Sequence, residues 1–252
     1  MERNKTATLA TIDATSLHYR NLNAQLRDLV AGGTEKIIIN NVYGQRYIGT
    51  DLNKPVEIEI HGTPGNDLGA FMDGPTVTIY GNAQDGTGNT MNDGRIIVHG
   101  RAGDITGLSA RGGEIYVRDS VGYRAGIHMK AFGDKMPALV IGSTAQDFVG
   151  EYMAGGVLIL LGIGLEGNQH KASFIGTGMH GGAIYFRGSI EEHQLGKEVG
   201  IAELSGEDRT TLTRLVTKFS RYFNCDAEGI LKEKFTKLYP KYLRPYGQLY
   251  TY

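Results

Sequence analysis

Gly62-Thr63-Pro64-Gly65-Asn66-Asp67-Leu68-Gly69 reappears two repeats later as Gly100-Arg101-Ala102-Gly103-Asp104-Ile105-Thr106-Gly107. Both octets fit G-xx-G-xxx-G, and both belong to a longer periodic series. Gly62, Gly81 and Gly100 stand 19 residues apart, Asp119 takes the next slot, and the series resumes at Gly142, Gly162 and Gly188. A second series, Gly69, Gly88, Gly107 and Gly126, keeps the same spacing and continues at Gly150 and Gly176. Three residues after each of these stand Met72, Met91, Ala110, Met129, Met153 and Met179. The two longer spacings read as insertions, roughly Lys130–Pro137 and Gly164–Ile175. A repeat of this kind is the first thing to establish, because it decides the architecture.

Working back from each first-series position gives the strands. Two residues before it stand Ile60, Ile79, Val98, Val117, Val140, Leu160 and Phe186, and four before it Ile58, Val77, Ile96, Ile115, Ala138, Leu158 and Ile184. The intervening positions are often polar, as at Glu59, His61, Thr78, His99, Arg118 and Arg187. Period-two alternation marks a strand with one face buried. A strand this short cannot bury its face alone, whereas stacked strands share a continuous apolar column. A repeat of 19 residues is also too short for strand, crossover helix and turns. The spacing therefore predicts a mainly β protein: a parallel β-helix of about seven rungs from Val56 to Arg187, right-handed by the chirality of parallel crossovers. Its turn glycines are Gly62, Gly65, Gly69, Gly81, Gly88, Gly100, Gly103, Gly107, Gly126, Gly142, Gly150, Gly162, Gly176 and Gly188.

Outside the repeat the period changes. Leu22, Leu26, Leu29 and Val30 share one helical face after Ser16, read as the N-cap, and Gly32-Gly33 ends that helix. Ile37–Ile39 reads as a strand leading into the solenoid. Ser205-Gly206-Glu207-Asp208 resembles a capping box with Asp in the usual Glu or Gln position. It precedes a helix carrying Leu212, Leu215, Val216, Phe219 and Phe223. A further helix is expected from Asp226, with Ile230, Leu231, Phe235 and Leu238. Tyr239–Tyr252 holds five tyrosines and two prolines and reads as an extended docking arm. These signals divide the chain into residues 1–190, the β-helix with its N-terminal helix, and residues 191–252, a helical extension ending in the arm.

Composition bounds the chemistry. Glycine makes up 37 of 252 residues, and 28 of the 37 fall between Gly62 and Gly188, so the excess belongs to the repeat. With 6 prolines and no glycine at every third position, collagen is excluded. A formal net charge of −1 supplies no electrostatic footprint for nucleic acid. The longest strongly apolar run, Val157–Leu161, is too short to span a bilayer, and no apolar stretch follows Met1-Glu2-Arg3-Asn4-Lys5 as a signal peptide would require. The expectation is a cytoplasmic protein without membrane or nucleic-acid partners. Cys225 is the only cysteine, which excludes an intrachain disulfide, a four-cysteine zinc site and an iron–sulfur cluster held by this chain alone.

The rungs resemble a known family. Gly65-Asn66-Asp67-Leu68-Gly69-Ala70-Phe71, Gly81-Asn82-Ala83, Gly94-Arg95-Ile96-Ile97-Val98 and Glu151-Tyr152-Met153-Ala154-Gly155-Gly156 resemble the GXGXG domain, the C-terminal β-helix of the glutamate synthase large subunit. The resemblance covers roughly residues 15–190. It departs at Gln84 and Asp119, which replace motif glycines, and at Gly142–Gly150, where the turn is one residue longer. The β-helical subunit of formylmethanofuran dehydrogenase is similar at the same level. In glutamate synthase the glutaminase and the FMN and iron–sulfur chemistry reside in other domains, and the GXGXG domain is a scaffold that helps shape the ammonia path. With Met1 at its start, the resemblance implies a separate, non-catalytic subunit of a split enzyme. It would bind no cofactor itself and would partner a glutaminase-type amidotransferase and an FMN-dependent synthase-type subunit. No catalytic residue is carried over. Readings left open are a scaffold of another glutamine-dependent or formylmethanofuran dehydrogenase-like complex, a solenoid enzyme or ligand-binding protein using its insertions, and a homo-oligomer.

Other constellations read blandly. Gly162-Ile163-Gly164-Leu165-Glu166-Gly167 is a literal G-x-G-x-x-G, but Gly176 and Gly178 follow where a helix should run, and no acid lies near residues 180–188. The histidines, His18, His61, His99, His128, His170, His180 and His193, show no metal-binding spacing. Asp104, Glu114 and Asp119 are close in sequence without converging by rung geometry. Asn168-Gln169-His170-Lys171, in the longer insertion, is the candidate partner contact. Leu139, Ile141, Ile159 and Leu161, placed outward with Tyr116 and Tyr185, form an apolar face that needs a cover, either the C-terminal helices or a partner.

Overall fold

The computed structural model describes residues 8–165, 167 and 169–242. The repeat folds as stacked parallel strands. They are β1 (Leu9–Asp13), β2 (Lys36–Tyr43), β3 (Glu57–Thr63), β4 (Asp73–Tyr80), β5 (Asp93–Val98), β6 (Glu114–Val117), β7 (Ala138–Ile141), β8 (Ala154–Leu160) and β9 (Gly181–Arg187). Each pairs in parallel with the next in chain order. Strands β3 to β9 are the seven rungs expected from the glycine period, with six windings between first and last. The inner column runs through Ile39, Ile60, Ile79, Val98, Val117, Ile141, Leu160 and Phe186, all buried in one core. Met72, Met91, Ala110, Met129, Met153 and Met179 fill the same core at the turns.

One rung is slipped by one residue from its expected register. Ile115 pairs with Leu139 and Val117 with Ile141, so Leu139 and Ile141 face inward while Ala138 and Val140 face out. The glycine pattern misaligned this rung because Gly142 follows the partner of Val117 directly, one position earlier than Asp119 does. The extra residue between Gly142 and Gly150 restores the turn column. A one-residue slip inverts every side chain of a strand, which is why four consecutive apolar residues are accommodated here.

The N-terminal helix α1 (Tyr19–Ala31) closes the first end with Leu22, Leu26 and Val30 buried. Its N-cap is His18 rather than Ser16. Ser16 takes φ 58°, inside a turn closed by the Leu17 amide on the Ala14 carbonyl at 3.0 Å, so helical geometry starts two residues later.

The C-terminal part is less helical than its spacing suggested. β10 (Val199–Ala202) leads to α2 (Gly206–Phe223), α3 (Ala227–Lys232) and β11 (Phe235–Pro240). Phe235 and Leu238 lie on β11, not on a helix. β11 pairs antiparallel with both β9 and β10, completing an eleven-stranded sheet in the order β1 to β9, β11, β10. This pairing covers the edge that β9 would otherwise expose. Ser205 and Asp208 form the expected capping box of α2, and Asp226 caps α3. Of the expected docking arm, Tyr239 and Pro240 belong to β11, and residues 243–252 lie outside the described residues.

Helix α2 covers the outer apolar face. Leu212, Leu215, Val216 and Phe219 pack with Tyr116, Ala138, Val140, Val157, Ile159, Leu161 and Tyr185 in a second core. Two carboxylates fasten it. Glu114 of β6 receives Arg214 at 2.7 Å and Lys218 at 2.8 Å from α2. Burial opposes its ionisation, but Lys218, Tyr116 and Arg214 outweigh burial and hold the carboxyl below its usual range. Asp208 accepts hydrogen bonds from Tyr185 at 2.6 Å and from Lys237 at 2.8 Å. There too burial is outweighed by hydrogen bonds, and the carboxyl sits well below the ordinary range.

The tightness of stacking makes a direct prediction. A Cβ on Gly81 would stand 2.3 Å from the Gly62 carbonyl oxygen of the preceding rung, whereas Gly206, at the first turn of α2, has open space. Gly81→Ala should lower stability by about 3 kcal/mol or more, and Gly206→Ala should be neutral or stabilising by up to about 1 kcal/mol. Urea unfolding followed by circular dichroism distinguishes them.

Candidate functional site

The surface with the most regular chemistry is the wall formed by the turns between strands. A short row follows each strand from β2 to β8: residues 47–51, 67–71, 86–90, 105–109, 124–128, 148–152 and 174–178. The first, third and fifth residue of every row has positive φ. The third is always glycine, and at Gly88 the reason is double: φ is +73°, and a Cβ would meet Ile115 Cδ1 of the inner core at 2.3 Å. The first and fifth positions are mostly not glycine, and they point outward. Left-handed backbone costs such residues roughly 1–2 kcal/mol each. Bonds to the next rung hold them, as between the Phe148 amide and Ser173 carbonyl at 2.9 Å and the Tyr152 amide and Thr177 carbonyl at 2.8 Å.

On the later rungs these outward positions form two aromatic columns. Phe148 stacks on Phe174 with centroids 4.9 Å apart, and the Arg124 guanidinium lies over Phe148 at 4.8 Å. His128 stacks on Tyr152 at 5.4 Å. Arg124 also pairs with the buried carboxylate of Glu151. The glycine period located the rows but not these columns. The signal was present in the sequence two residues to either side of each second-series glycine.

A third aromatic stack runs along the outer face of the early rungs. His61, Tyr80 and His99 are stacked at 5.0 Å intervals, and Phe223 of α2 meets His99 edge-on at 5.1 Å. His61 and His99 are two rungs apart, and Tyr80 joins them.

The longer insertion is divided between core and surface. Asn168 lies outside the described residues. Gln169 and Lys171 are exposed and line an open polar groove of about 300 Å³ with Ser189, Glu191 and His193. His170 between them is buried, edge-on to Phe186 at 4.9 Å, with Nε2 3.3 Å from the Arg187 carbonyl oxygen. Gln194 donates to the carbonyls of His170 and Ala172, both at 2.8 Å, and so anchors the insertion to the following turn.

The remaining candidates stand apart. Gly162 closes a rung: its amide donates to the Ser143 carbonyl at 2.9 Å. Asp104 accepts from the Tyr123 amide at 2.8 Å, Asp119 pairs with Arg118 at 2.9 Å, and Glu114 fastens α2. Cys225 is partly buried. Among the described residues no group of three or more His, Cys, Asp or Glu side chains is placed to hold a metal ion, and no helix is long and apolar enough to cross a membrane.

His170 gives the insertion a pH signature. Burial pushes it down to about 4, whereas an unfolded histidine titrates near 6.5. Between those values the unfolded chain binds a proton that the folded chain refuses, so stability falls as pH drops through that window and is unaffected above it. The loss should reach on the order of 3 kcal/mol by pH 4, and His170→Gln should remove it from the pH profile of the unfolding free energy.

Comparison with known proteins agrees with the architecture. A protein of Methanocaldococcus jannaschii named Uncharacterized protein MJ1350 is 50% identical, with 95% of each chain covered. The family model described as GXGXG motif matches residues 27–246, which extends past the β-helix through α2, α3 and β11. The match spans most of the chain, which therefore belongs to the GXGXG motif family.

Proposed function

We propose that this protein is the non-catalytic scaffold subunit of a split glutamate synthase-like oxidoreductase complex, acting in nitrogen metabolism. It holds a glutaminase-type amidotransferase subunit and an FMN-dependent synthase-type subunit in fixed relation. The observation that supports this reading is membership of the GXGXG family across residues 27–246, since the family's resemblance is to the scaffold domain of glutamate synthase. In this reading FMN and iron–sulfur clusters reside on the partners.

The fold suits the task. Each rung is bonded to its neighbours along a strand ladder and again along a turn wall, so the spacing between distant surface points is set by the count of rungs, near 4.8 Å for each. A rigid spacer fixes the distance between two active sites that share a diffusing intermediate. Ammonia released from glutamine is protonated in bulk water and loses its nucleophilicity. A scaffold that lines the route between the sites keeps it from solvent. The exposed turn wall and the insertion groove are the surfaces this reading assigns to the partners.

Mixing this chain with the two partner classes from the same source should give a three-protein complex on size-exclusion chromatography. Omitting the chain should reduce glutamine-dependent glutamate formation to the rate supported by free ammonium. Equal glutamine-dependent rates with and without the chain would overturn the proposal.

A further inference from the structure

The first glycine series is broken once, at Asp119, and a cavity lies at the break. At Gly81, Gly100 and Gly142 a Cβ would strike a backbone carbonyl of the preceding rung. Asp119 stands in the same series with a side chain in place. The slip at β7 sets Gly142 against the Arg118 carbonyl, and the Ser143 amide donates to the Asp119 carbonyl at 3.0 Å. Asp119 lines a cavity of about 560 Å³, within the range of roughly 300–1,000 Å³ usual for small-molecule sites. The cavity shares no residue with the turn rows or with the insertion groove.

Rung corners build most of its lining. Arg101, Ser120, Ser143 and Ile163 follow β5, β6, β7 and β8 in turn, so this wall runs over three rung spacings, about 14 Å. Cys225 adds a thiol from the turn after α2, where Asn224 takes φ 55° and the Cys225 amide donates to the Ser220 carbonyl at 3.1 Å. The charged groups of the lining are two guanidiniums and one carboxylate. Arg118 gives Nε and Nη2 to Asp119, both at 2.9 Å. Arg101 acts on the same carboxylate through charge and makes no bond to it. One positive charge is therefore left over, beside the hydroxyl donors of Ser120 and Ser143. A cation would meet two guanidiniums here, whereas a carboxylate or phosphate meets the forked donors that match it.

We propose that this cavity binds a small organic anion, with its carboxylate or phosphate group against Arg101 and Arg118 and its body along Ser143 and Ile163 toward Cys225. This assignment does not rest on the scaffold reading. Asp119 holds Arg118 at the cavity and offsets its charge, so Arg101 supplies the uncompensated one. Cys225 is a wall of the site and not its anchor. Burial pushes its thiol up and the Arg118 charge draws it down, so the guanidinium acts on whatever lies beside the sulfur.

Cys225 is the only cysteine of the chain, so its alkylation reports on this cavity alone. Iodoacetate and iodoacetamide have nearly the same shape and differ by one negative charge. With either, the Cys225 sulfur displaces iodide from the methylene carbon to form a thioether, and the thiol proton passes to solvent. The ratio of the two rate constants, followed by intact mass, cancels the thiolate fraction. In full-length folded protein the iodoacetate-to-iodoacetamide ratio should exceed that of the same chain in urea by about threefold or more, the effect of one unit charge across about 7 Å of water. Arg101→Gln should remove this preference, Arg101→Lys should keep it, and Asp119→Asn, close to isosteric, should raise it. Succinate or inorganic phosphate should slow the iodoacetate reaction where sodium chloride of equal ionic strength does not, and the stronger protector identifies the group that the cavity takes. Four results would overturn the assignment: a folded ratio no higher than the unfolded one, a ratio unmoved by Arg101→Gln, protection by neither anion, or a folded chain whose Cys225 reacts with neither reagent.

Discussion

The fold depends on how closely successive rungs approach at their turns. Between Gly62 and Gly81 there is no room for a Cβ, because the carbonyl oxygen of one rung occupies that position over the next. The same holds between Gly81 and Gly100 and between Arg118 and Gly142. Close approach lets the turn amides bond across rungs as regularly as the strands do, and the inner column of Ile, Val, Leu and Met then packs as one continuous core. Glycine is abundant because the solenoid needs it at two distinct places. One is where backbones nearly touch, and the other is where a left-handed residue must also leave space for a core side chain.

The outer face follows from that inner order. Once alternate residues are committed inward, the others must suit whatever lies outside. On β3 to β5 they are mostly polar or form the His61–Tyr80–His99 stack. On β6 to β9 they become apolar, and α2 lies over them, fastened by Arg214 and Lys218 to Glu114 and by Asp208 to Tyr185 and Lys237. β10, α2, α3 and β11 are therefore part of the same body. Val199 and Leu238 enter the inner core, and β11 and β10 finish the sheet.

Much of this was legible in the sequence, and the misses have physical causes. Glycine spacing revealed the seven rungs and the methionine column because both recur with nearly constant chemistry. The slip at β7 escaped because Ala138, Leu139, Val140 and Ile141 are all apolar, so alternation carries no information there. Phe235 and Leu238 were read at helical spacing because they stand three residues apart, whereas long-range pairing with β9 decides their conformation. Period alone could not separate exposed from buried within the insertion, where Gln169 and Lys171 face solvent and His170 between them does not. The aromatic columns escaped because residue type varies from rung to rung at their positions, so no repeat marks them beside the constant glycine.

A solenoid whose surfaces are set by rung count is suited to holding other proteins at a fixed distance, and transfer of nitrogen between two sites is the act that such spacing would serve. The direct measurement uses glutamine carrying a heavy isotope in its amide nitrogen, supplied to the three-protein mixture with excess unlabelled ammonium. A scaffold that channels ammonia predicts that the glutamate newly formed from the 2-oxo acid, counted apart from the unlabelled glutamate left by glutamine hydrolysis, carries nearly the enrichment of the glutamine amide, with dilution appearing when this chain is left out. Product diluted by the ammonium pool to the same extent with and without the chain would contradict the account.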